Sequence, residues 1–314
     1  MFSLIRQLKE KGVLGLNARN GAYILPHNPR RLYPLVDDKL RTKKLAVAAG
    51  VAVPELYGVV ETPHQAGEIL QTLEKYSDFV IKPTHGSGGD GILVIVGRTK
   101  KGFRSANGTL VTKEEIAFHI NNTLSGIYSL GGQPDVALVE YRVKFDPVFE
   151  DITFNGVPDI RIIVFYGIPV MAMVRLPTRS SSGKANLHQG AIGVGIDMAS
   201  GTTLKAVYKN DITEEHPDTG NPVMGVVIPH WKKLLTIAAN SFELTGLPYQ
   251  GIDIVLDRDL GPLVLELNAR PGLGIQIANR TGLGKRLQKV EQYRREINSL
   301  EERVAFSQEH FSVL

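Results

Sequence analysis

The chain has 314 residues, of which 43% are hydrophobic, and a formal net charge of +4, so it is long enough for one large or two medium domains around a buried core. The absence of cysteine excludes disulfides, thiolate metal sites and a cysteine nucleophile, and it favours a cytoplasmic protein. No run of 18 uncharged apolar residues and no basic-then-apolar leader occurs, so we expect neither a transmembrane helix nor a secretory signal.

Residues 1–44 are strongly basic, with ten Lys or Arg against three acids. We predict a short helix at residues 2–11 and an irregular arm at Asn17–Tyr33, which is rich in Asn, Gly, Pro and Arg. Two roles for the basic arm stay open. It could contact an anionic ligand or partner surface, or it could simply be solvated.

A small α/β subdomain follows the arm. Asp37 and Asp38 provide an acidic N-cap and Gly50 a stop signal, which together indicate a helix between them. Apolar periodicity predicts further strands and helices beyond it. We expect strands at residues 51–60 and 79–82, a helix at residues 63–76, and a helix with a loop at residues 112–130.

A glycine-rich loop begins after Lys82, which ends a buried strand, and another strand is predicted at residues 92–96. Glycines let backbone N–H groups surround a phosphate, and a lysine adds a point charge, so this loop is a candidate phosphate-binding flap. It lacks the Gly-Lys-Ser/Thr ending and the following helix of a Walker A loop. A flexible hairpin that binds no ligand is the alternative. The loop glycines are Gly86, Gly88, Gly89 and Gly91.

Two stretches in the middle of the chain place polar groups among apolar residues. A strand at residues 136–139 leads into Glu140 and Tyr141, whose backbone could face a nucleotide base, although this signal is common. Residues 159–175 read as a hairpin. Arg161 lies in its apolar first strand, where an unpaired charge is costly, so it needs a partner. That partner is either a structural acid or the phosphate or carboxylate of a ligand.

Residues 177–195 are too polar for a core and too long for a tight turn, which predicts a mobile active-site loop. Asn186 and His188 are its obvious chemical groups. Residues 216–220 read as a simple turn. An amphipathic helix at residues 229–244 is expected in the core.

Residues 251–272 contain two alternating apolar runs around a glycine-containing turn, which predicts a β-hairpin. Its loop is expected at residues 258–261. Side chains alternate between the two faces of a strand. The predicted register therefore pairs Asp253 with Glu266 and Val255 with Val264, and it places Asn268 on the face of the two acids.

Three oxygen-bearing side chains on one face of this hairpin form a candidate metal site. Opposed carboxylates repel each other unless a positive charge lies between them. Oxygen ligands without Cys or His suit a hard cation such as Mg²⁺. A solvated acidic face that binds no ion is the alternative.

The C-terminal part begins with a glycine-rich connector, predicted at residues 272–284. Residues 285–305 then form a single predicted helix with a stripe of apolar residues on one face. The stripe could pack on the same chain or pair with a second chain in a homodimer.

Taken together, six motifs in this order resemble the ATP-grasp superfamily, and within it the α-L-glutamate ligase-like branch related to the ribosomal-protein glutamate ligases. The resemblance covers about residues 36–284. Its most specific parts are the sequences at residues 184–190 and 265–272. The motifs are Asp37-Asp38-Lys39, Lys82 with its glycine loop, Glu140-Tyr141, Asp159-Ile160-Arg161, Asn186-Leu187-His188, and Asp253 with Glu266 and Asn268.

The resemblance implies an α+β protein with the ATP-grasp fold, in which two α/β subdomains clasp the nucleotide. It also implies four regions along the chain. These are an N-terminal arm in place of a full preceding domain (residues 1–36), an N-terminal subdomain with the glycine flap (37–143), a C-terminal subdomain with the metal site (144–284), and a C-terminal helix (285–314).

The resemblance also implies roles for individual residues toward the phosphates and adenine of ATP, the metal and the reacting groups. The implied cofactor-binding residues are Lys39, Lys82, Gly86, Ser87, Gly88, Gly89, Gly91, Glu140, Tyr141 and Val143. The implied metal ligands, for two Mg²⁺ ions or for Mn²⁺, are Asp253, Glu266 and Asn268. The implied catalytic residues are Arg161, Asn186 and Arg270.

The implied reaction joins a carboxylate to an amine through an acylphosphate, such as addition of glutamate or another amino acid to a peptide or small acid. A nucleotide-binding regulator without turnover and a phosphotransferase are the alternatives. We expect neither nucleic acid nor a membrane as a partner. Because the preceding domain is reduced to about 36 residues, substrate recognition would come from the basic arm, the loops or another chain. Arg270 stands where relatives often carry a small or uncharged residue, and it could bind an acidic substrate or a nearby phosphate.

Overall fold

The computed structural model describes residues 2–86, 88–209 and 211–313, which divide into two compact units. The smaller unit contains residues 38–43 and 53–143, and the larger unit contains residues 1–37, 44–52 and 144–314. The predicted phosphate ligand Ser87 lies outside the described residues. No helix in the described residues combines the length and the apolar character that crossing a bilayer requires.

Helices occur throughout the described chain, and three of them begin at a capping box. Thr62, Thr112 and Ser299 each form a capping box with the residue three positions later, which satisfies N–H groups at the helix start. The α-helices are α1 (Phe2–Glu10), α2 (Leu16–Arg19), α3 (Leu25–His27), α4 (Pro34–Asp37), α5 (Lys39–Ala48), α6 (Pro63–Leu73), α7 (Lys113–Leu124), α8 (Trp231–Thr245), α9 (Gly274–Ala278), α10 (Gly284–Tyr293) and α11 (Leu300–His310). A π-helical turn spans Asn20–Ile24, and 3-10 turns span Arg30–Leu32, Leu130–Gly132, Pro147–Ile152 and Leu187–Gln189.

The smaller unit is built on an antiparallel six-stranded sheet in the order β1-β6-β2-β3-β4-β5. Its core is closed by α6 and α7, whose buried residues Ile69, Leu73, Ile116 and Ile120 lie four positions apart and so on one helix face. The predicted strand at residues 51–60 is shorter than expected, because Pro54 has no N–H to donate. The strands are β1 (Leu56–Val60), β2 (Phe79–Pro83), β3 (Leu93–Thr99), β4 (Gly102–Ser105), β5 (Leu110–Val111) and β6 (Ala137–Glu140).

The larger unit is built on an antiparallel seven-stranded sheet in the order β11-β10-β9-β8-β7-β12-β13. Every residue of β8 and of β12 is buried, so any charge carried by these two strands must be paired within the protein. The strands are β7 (Asp159–Phe165), β8 (Ile168–Leu176), β9 (Ile192–Ile196), β10 (Thr203–Tyr208), β11 (Asp211–Thr213), β12 (Tyr249–Asp257) and β13 (Gly261–Asn268).

The hairpin of β12 and β13 confirms one part of the predicted register and corrects another. Asp253 lies opposite Glu266, as predicted, but Ile254 then pairs with Val264, and Val255 pairs with Leu263 rather than with Val264. A β-bulge at this point leaves Leu265 as an extra residue on β13. Because a bulge shifts the alternation by one residue, Val264 is buried and Leu265 is only half-buried.

The segment predicted as an irregular arm, Asn17–Tyr33, is mainly helical. Its composition suggested a loop, yet Pro26 lies in the first turn of α3, where no backbone donor is needed. Packing fixes the segment: Asn28 is buried, donates to the carbonyl oxygen of Tyr249 at 2.6 Å and accepts from the N–H of Tyr249 at 2.9 Å. Arg19 is also buried and donates to the carbonyl oxygen of Pro271 at 2.6 Å. The arm is therefore an integral part of the larger unit.

The C-terminal region differs from the single helix predicted at residues 285–305. It forms α10 and α11, separated at residues 294–299, because the capping box of Ser299 and Glu302 starts a new helix. The predicted apolar stripe packs within the same chain, where Val290 and Val304 are buried. The connector at residues 272–284 is likewise not a plain loop, since it contains α9. A homodimer through this region stays a prediction.

Candidate functional site

Two lysines of the smaller unit share one buried glutamate. Lys82 in β2 lies 2.5 Å from Oε1 of Glu140 in β6, and Lys43 in α5 lies 2.8 Å from Oε2. All three side chains are at least nine-tenths buried. We call these residues the lysine–glutamate cluster. The sequence motifs include Lys82 and Glu140 but not Lys43, although Lys43 lies one helical turn after Lys39 and so on the same face of α5.

The lysine–glutamate cluster carries one positive charge in excess. Burial lowers the pKa of Lys43, and Lys82 lowers it further, while Glu140 opposes both effects. Burial disfavours ionised Glu140, but the two lysines hold its pKa below its usual range. The carboxylate can neutralise only one of the two ammonium groups, so the cluster favours an additional anion. This electrostatic surplus is suited to a phosphate group.

The described residues of the glycine-rich loop are 84–86 and 88–91, and several of them occupy conformations that require glycine. Gly88, Gly89 and Gly91 have φ values of 65°, 80° and 75°, in the left-handed region that other residues rarely adopt. A Cβ atom on Gly91 would also lie 2.5 Å from the ring of Tyr128. Lys39 donates to the carbonyl oxygen of Gly86 at 2.5 Å. The structure thus brings the predicted phosphate ligand Lys39 to the start of this loop.

The residues predicted to contact adenine lie at the end of β6 and just beyond it. The backbone N–H of Tyr141 donates to the carbonyl oxygen of Glu55 at 2.8 Å, and Val143 is buried. Glu140 itself belongs to the lysine–glutamate cluster. The backbone donor of Tyr141 is therefore committed within the smaller unit, and contact between this segment and adenine stays a prediction.

Asp135 anchors the base of the glycine-rich loop, a role that sequence analysis did not foresee. Its buried carboxylate accepts hydrogen bonds from the hydroxyl of Thr84, from the backbone N–H of His85 at 3.0 Å and from the hydroxyl of Ser129 at 2.8 Å. Burial opposes ionisation of this carboxyl, but hydrogen bonds from Thr84, the ring of His85, the backbone N–H of Val136 and Ser129 lower its pKa to about 2. The ionised carboxylate thus holds the loop in place.

Replacing Asp135 by Asn should destabilise the smaller unit in a pH-dependent way. Because the folded-state pKa lies below the unfolded value, the wild-type carboxylate contributes stability above about pH 4 and loses it as the pH falls toward 2. We expect a deficit of about 1–2 kcal/mol at pH 7 that shrinks in acid. Urea unfolding followed by circular dichroism from pH 7 to pH 3 measures it, with the exposed Glu61→Gln change as control. A deficit that stays constant with pH would contradict this role for the charge.

Alternating charges cross the sheet of the larger unit, on β7, β8, β12 and β13. Arg161 donates two hydrogen bonds to Asp253, from Nε to Oδ1 at 2.7 Å and from Nη2 to Oδ2 at 2.5 Å. Arg175 donates to Oδ2 of Asp253 at 2.8 Å and binds Asp159 through both ends of its guanidinium. Nη2 of Arg161 also lies 4.0 Å from Oε1 of Glu266. We call this series, Asp159–Arg175–Asp253–Arg161–Glu266, the ion-pair chain.

The ion-pair chain explains how charges are tolerated in buried strands. Although burial opposes it, Arg161 and Arg175 hold the pKa of Asp253 below its usual range. Burial raises the pKa of Asp159, and the nearby Asp253 adds to this, while Arg175 opposes it. The partner that sequence analysis required for Arg161 is therefore Asp253, itself a predicted metal ligand. Arg175 was missed because a single arginine at the end of an apolar run gives no local signal of its role.

Arg161 also lines a small pocket of the larger unit, together with three residues of the polar loop at 177–195, Asn186, Leu187 and His188. The loop is held at its ends, where Thr178 donates to the carbonyl oxygen of Gly190 at 2.7 Å, and the buried ring of His216 lies 2.9 Å from the carbonyl oxygen of Pro177. The predicted turn at residues 216–220 therefore also contacts this loop. The mobility of the loop stays a prediction. The pocket is lined by Arg161, Arg175, Asn186, His188, Gly272 and Gly274, among others.

Arg270 is placed apart from the pocket-lining residues. Its side chain is 60% exposed, with Nη2 lying 3.8 Å from Oδ2 of Asp37 and its guanidinium 5.4 Å from the centre of the Tyr33 ring. The structure therefore brings Arg161 and Asn186 together but not Arg270. A catalytic role for Arg270 stays a prediction.

The acidic face of the hairpin has the chemistry of a site for a hard cation. Glu266 is one-third exposed, and the side-chain amide of Asn268 lies 3.3 Å from its Oε1. No group of three or more His, Cys, Asp or Glu side chains suited to a metal occurs in the described part of the chain, so the amide oxygen of Asn268 would have to complete the set. Two carboxylates and one amide fit Mg²⁺, which retains water and takes phosphate oxygens as further ligands.

The two antiparallel sheets have the architecture of the ATP-grasp fold. A family model described as sugar-transfer associated ATP-grasp matches residues 18–292, and the chain belongs to this family. Membership of the α-L-glutamate ligase-like branch stays a prediction. No curated protein sequence matches the chain.

Solved structures share the fold at low sequence identity. The biotin carboxylase domain of Hydrogenobacter thermophilus 2-oxoglutarate carboxylase, solved with MgADP, ADP and bicarbonate, is 17% identical, with 95% of this chain and 52% of that chain covered and a TM-score of 0.52. D-cycloserine synthetase DcsG is 15% identical, with 86% and 73% covered and a TM-score of 0.48. The ATP-grasp ligase PsnB is 15% identical, with 85% and 63% covered and a TM-score of 0.46. The chain thus spans less than two-thirds of PsnB, and these likenesses concern the fold alone.

Proposed function

We propose that the protein is an ATP-dependent ligase that joins a carboxylate to an amine. The observation that carries this proposal is the ion-pair chain beside the pocket. Its two arginines, Arg161 and Arg175, are paired with buried carboxylates and line a space that Asn186 and His188 also line. Membership of the ATP-grasp family adds support. Phosphoryl transfer depends on positioning and on neutralising negative charge, and this set of side chains is suited to both.

In the proposed reaction, a carboxylate oxygen of the substrate attacks the γ-phosphorus of ATP, and the bond to the leaving ADP breaks. The amine then attacks the carbonyl carbon of the acylphosphate, loses a proton and expels inorganic phosphate, which leaves an amide. Arg161 would bind the negative charge of the transferred phosphoryl group, and Asn186 would donate a hydrogen bond near it. Mg²⁺, when bound by Asp253, Glu266 and Asn268, would supply further positive charge to the phosphates.

The smaller unit would hold the nucleotide in this proposal. Lys39, Lys82 and the backbone N–H groups of the glycine-rich loop would bind its phosphates, and the segment after β6 would contact adenine. The excess positive charge of the lysine–glutamate cluster supports the phosphate assignment. Two Mg²⁺ ions, or Mn²⁺ in their place, are proposed as cofactors.

The acid and the amine are proposed only by chemical class. A peptide or small acid is the proposed carboxylate, and glutamate or another amino acid is the proposed amine. The family description refers to sugar transfer, so hexuronic acids and amino sugars belong in the substrate panel. The exposed Arg270 would attract an acidic substrate.

A trapping experiment tests the proposal. The protein is incubated with ATP, Mg²⁺, a panel of carboxylic acids and hydroxylamine, which converts an acylphosphate into a hydroxamate. We expect hydroxamate and an equal amount of ADP with at least one acid. If ATP binds but no acid yields either product, the protein is better described as a nucleotide-binding regulator. If ADP forms with an alcohol acceptor and no hydroxamate appears, it is a phosphotransferase.

A further inference from the structure

Arg161 occupies the position where the acidic face of the hairpin needs a positive charge. Asp253 and Glu266 lie directly opposite each other on β12 and β13, and like charges in this arrangement repel. Nη2 of Arg161 lies close to both, 2.5 Å from Oδ2 of Asp253 and 4.0 Å from Oε1 of Glu266. The guanidinium thus supplies the positive charge that a bound cation would otherwise supply.

Asp253 can lose Arg161 without losing all of its partners. Arg175 donates to Oδ2 of Asp253 at 2.8 Å and is itself fixed by Asp159. Oδ1 of Asp253 accepts a hydrogen bond from Nε of Arg161 at 2.7 Å. If Arg161 turned away, Arg175 would keep Asp253 in place and Oδ1 would become available to a cation.

The pocket beside Arg161 offers its guanidinium a second position. Its side chain lines the pocket that also contains Asn186 and His188, and it retains 13% exposure, whereas Asp253 retains 2%. A divalent cation on Asp253 and Glu266 would repel the guanidinium strongly at this distance. An anion in the pocket would attract it, since a guanidinium binds phosphate and carboxylate groups through paired hydrogen bonds.

We propose that Arg161 is an exchangeable occupant of the metal site, which leaves Asp253 when a divalent cation binds and then binds the anionic group of the substrate in the pocket. This inference rests on the proposed function and deepens it. The cation and the guanidinium compete for Asp253, so anything that holds Arg161 in the pocket assists the cation. Linkage requires the converse as well, so the cation raises the affinity of the pocket for an anion by the same factor.

Titration of the full chain with Mn²⁺, followed by electron paramagnetic resonance, tests the exchange without requiring turnover. The wild type and three variants are compared in the presence and absence of inorganic phosphate. Arg161→Gln removes the competing charge, and Arg161→Lys keeps the charge but cannot form the two-point grip on Asp253. Arg258→Gln is the matched control, because Arg258 forms an exposed ion pair with Glu150 elsewhere in the larger unit.

In the wild type, phosphate should increase the affinity for Mn²⁺ by about 5- to 10-fold, within the range usual for coupled sites. Arg161→Gln should bind Mn²⁺ about 10-fold more tightly than the wild type without phosphate, and phosphate should then have no effect. Arg161→Lys should lie between the two, and Arg258→Gln should match the wild type. A crystal grown with Mn²⁺ and phosphate should show Arg161 turned toward Asn186.

The outcomes distinguish this inference from the proposed function. The exchange is overturned if the wild type and Arg161→Gln bind Mn²⁺ with equal affinity, or if phosphate affects both proteins equally. Neither result contradicts the metal site. Weaker Mn²⁺ binding by Arg161→Gln also overturns it, because Arg161 would then support the metal site. If neither protein binds Mn²⁺, the metal site fails, and with it both the exchange and the ligase proposal. Should Arg161→Gln not fold, the comparison of Arg161→Lys with the wild type decides.

Discussion

Replacing Glu266 by Gln should lower the rate of acid-dependent ADP formation by at least about 100-fold while leaving the fold intact. The change removes one negative charge from the proposed metal site and keeps the side-chain volume. Glu266 is one-third exposed, so folding does not depend on its charge in the way that it depends on a buried ion pair. The proposed site also contains Asp253 and Asn268, which by themselves provide only one carboxylate.

Glu150→Gln is the matched control, because Glu150 is an exposed acid of the same unit with one arginine partner. It should retain full activity. Steady-state rates with the acid identified by hydroxamate trapping, together with urea midpoints for both variants, make the comparison. A fully active Glu266→Gln protein would remove the metal assignment. An inactive protein with a much lower urea midpoint would assign Glu266 to folding instead.

The candidate site follows from the sequence wherever a side chain's position depends on periodicity alone. Alternation within two strands was sufficient to place Asp253 opposite Glu266. It was not sufficient beyond Leu265, because a β-bulge depends on how the whole strand packs and has no signature in the residues themselves. The local pattern therefore predicted correctly that the two acids lie opposite each other, and it failed a few residues away.

Other failures arise where tertiary contacts override local composition. The N-terminal arm has the residues of a loop, but Asn28 pairs with Tyr249, 221 positions away, and such a partner is not visible in the local sequence. Arg161 required a partner on physical grounds, and the sequence could not tell Asp253 from a ligand. Lys43 and Arg175 were missed for the same reason, since each is defined by a buried acid on a distant strand.

Replacing Glu140 by Leu should destabilise the smaller unit by about 3–5 kcal/mol, the usual cost of leaving a buried charge without its partner. The change would leave Lys43 and Lys82 close together, buried and without a counter-charge. Burial already lowers the pKa of Lys43, so we expect one lysine to lose its proton in the variant. The smaller unit would then open more often than the larger one.

Hydrogen exchange of the backbone amides in β2 and β6 reports this opening directly. The only tryptophan, Trp231, lies in the larger unit, so its fluorescence during urea unfolding serves as an internal control.

The triple variant Lys43→Met, Lys82→Met, Glu140→Leu should recover most of the lost protection, because a buried ionic cluster can often be replaced by apolar residues without loss of stability. Lys43→Met alone should cost less than Glu140→Leu, since it leaves Lys82 and Glu140 as a neutral pair. If Glu140→Leu leaves the amide exchange of β2 and β6 unchanged, Glu140 does not stabilise the two lysines. The positive charge proposed to bind a phosphate would then have to come from Lys39 and the glycine-rich loop.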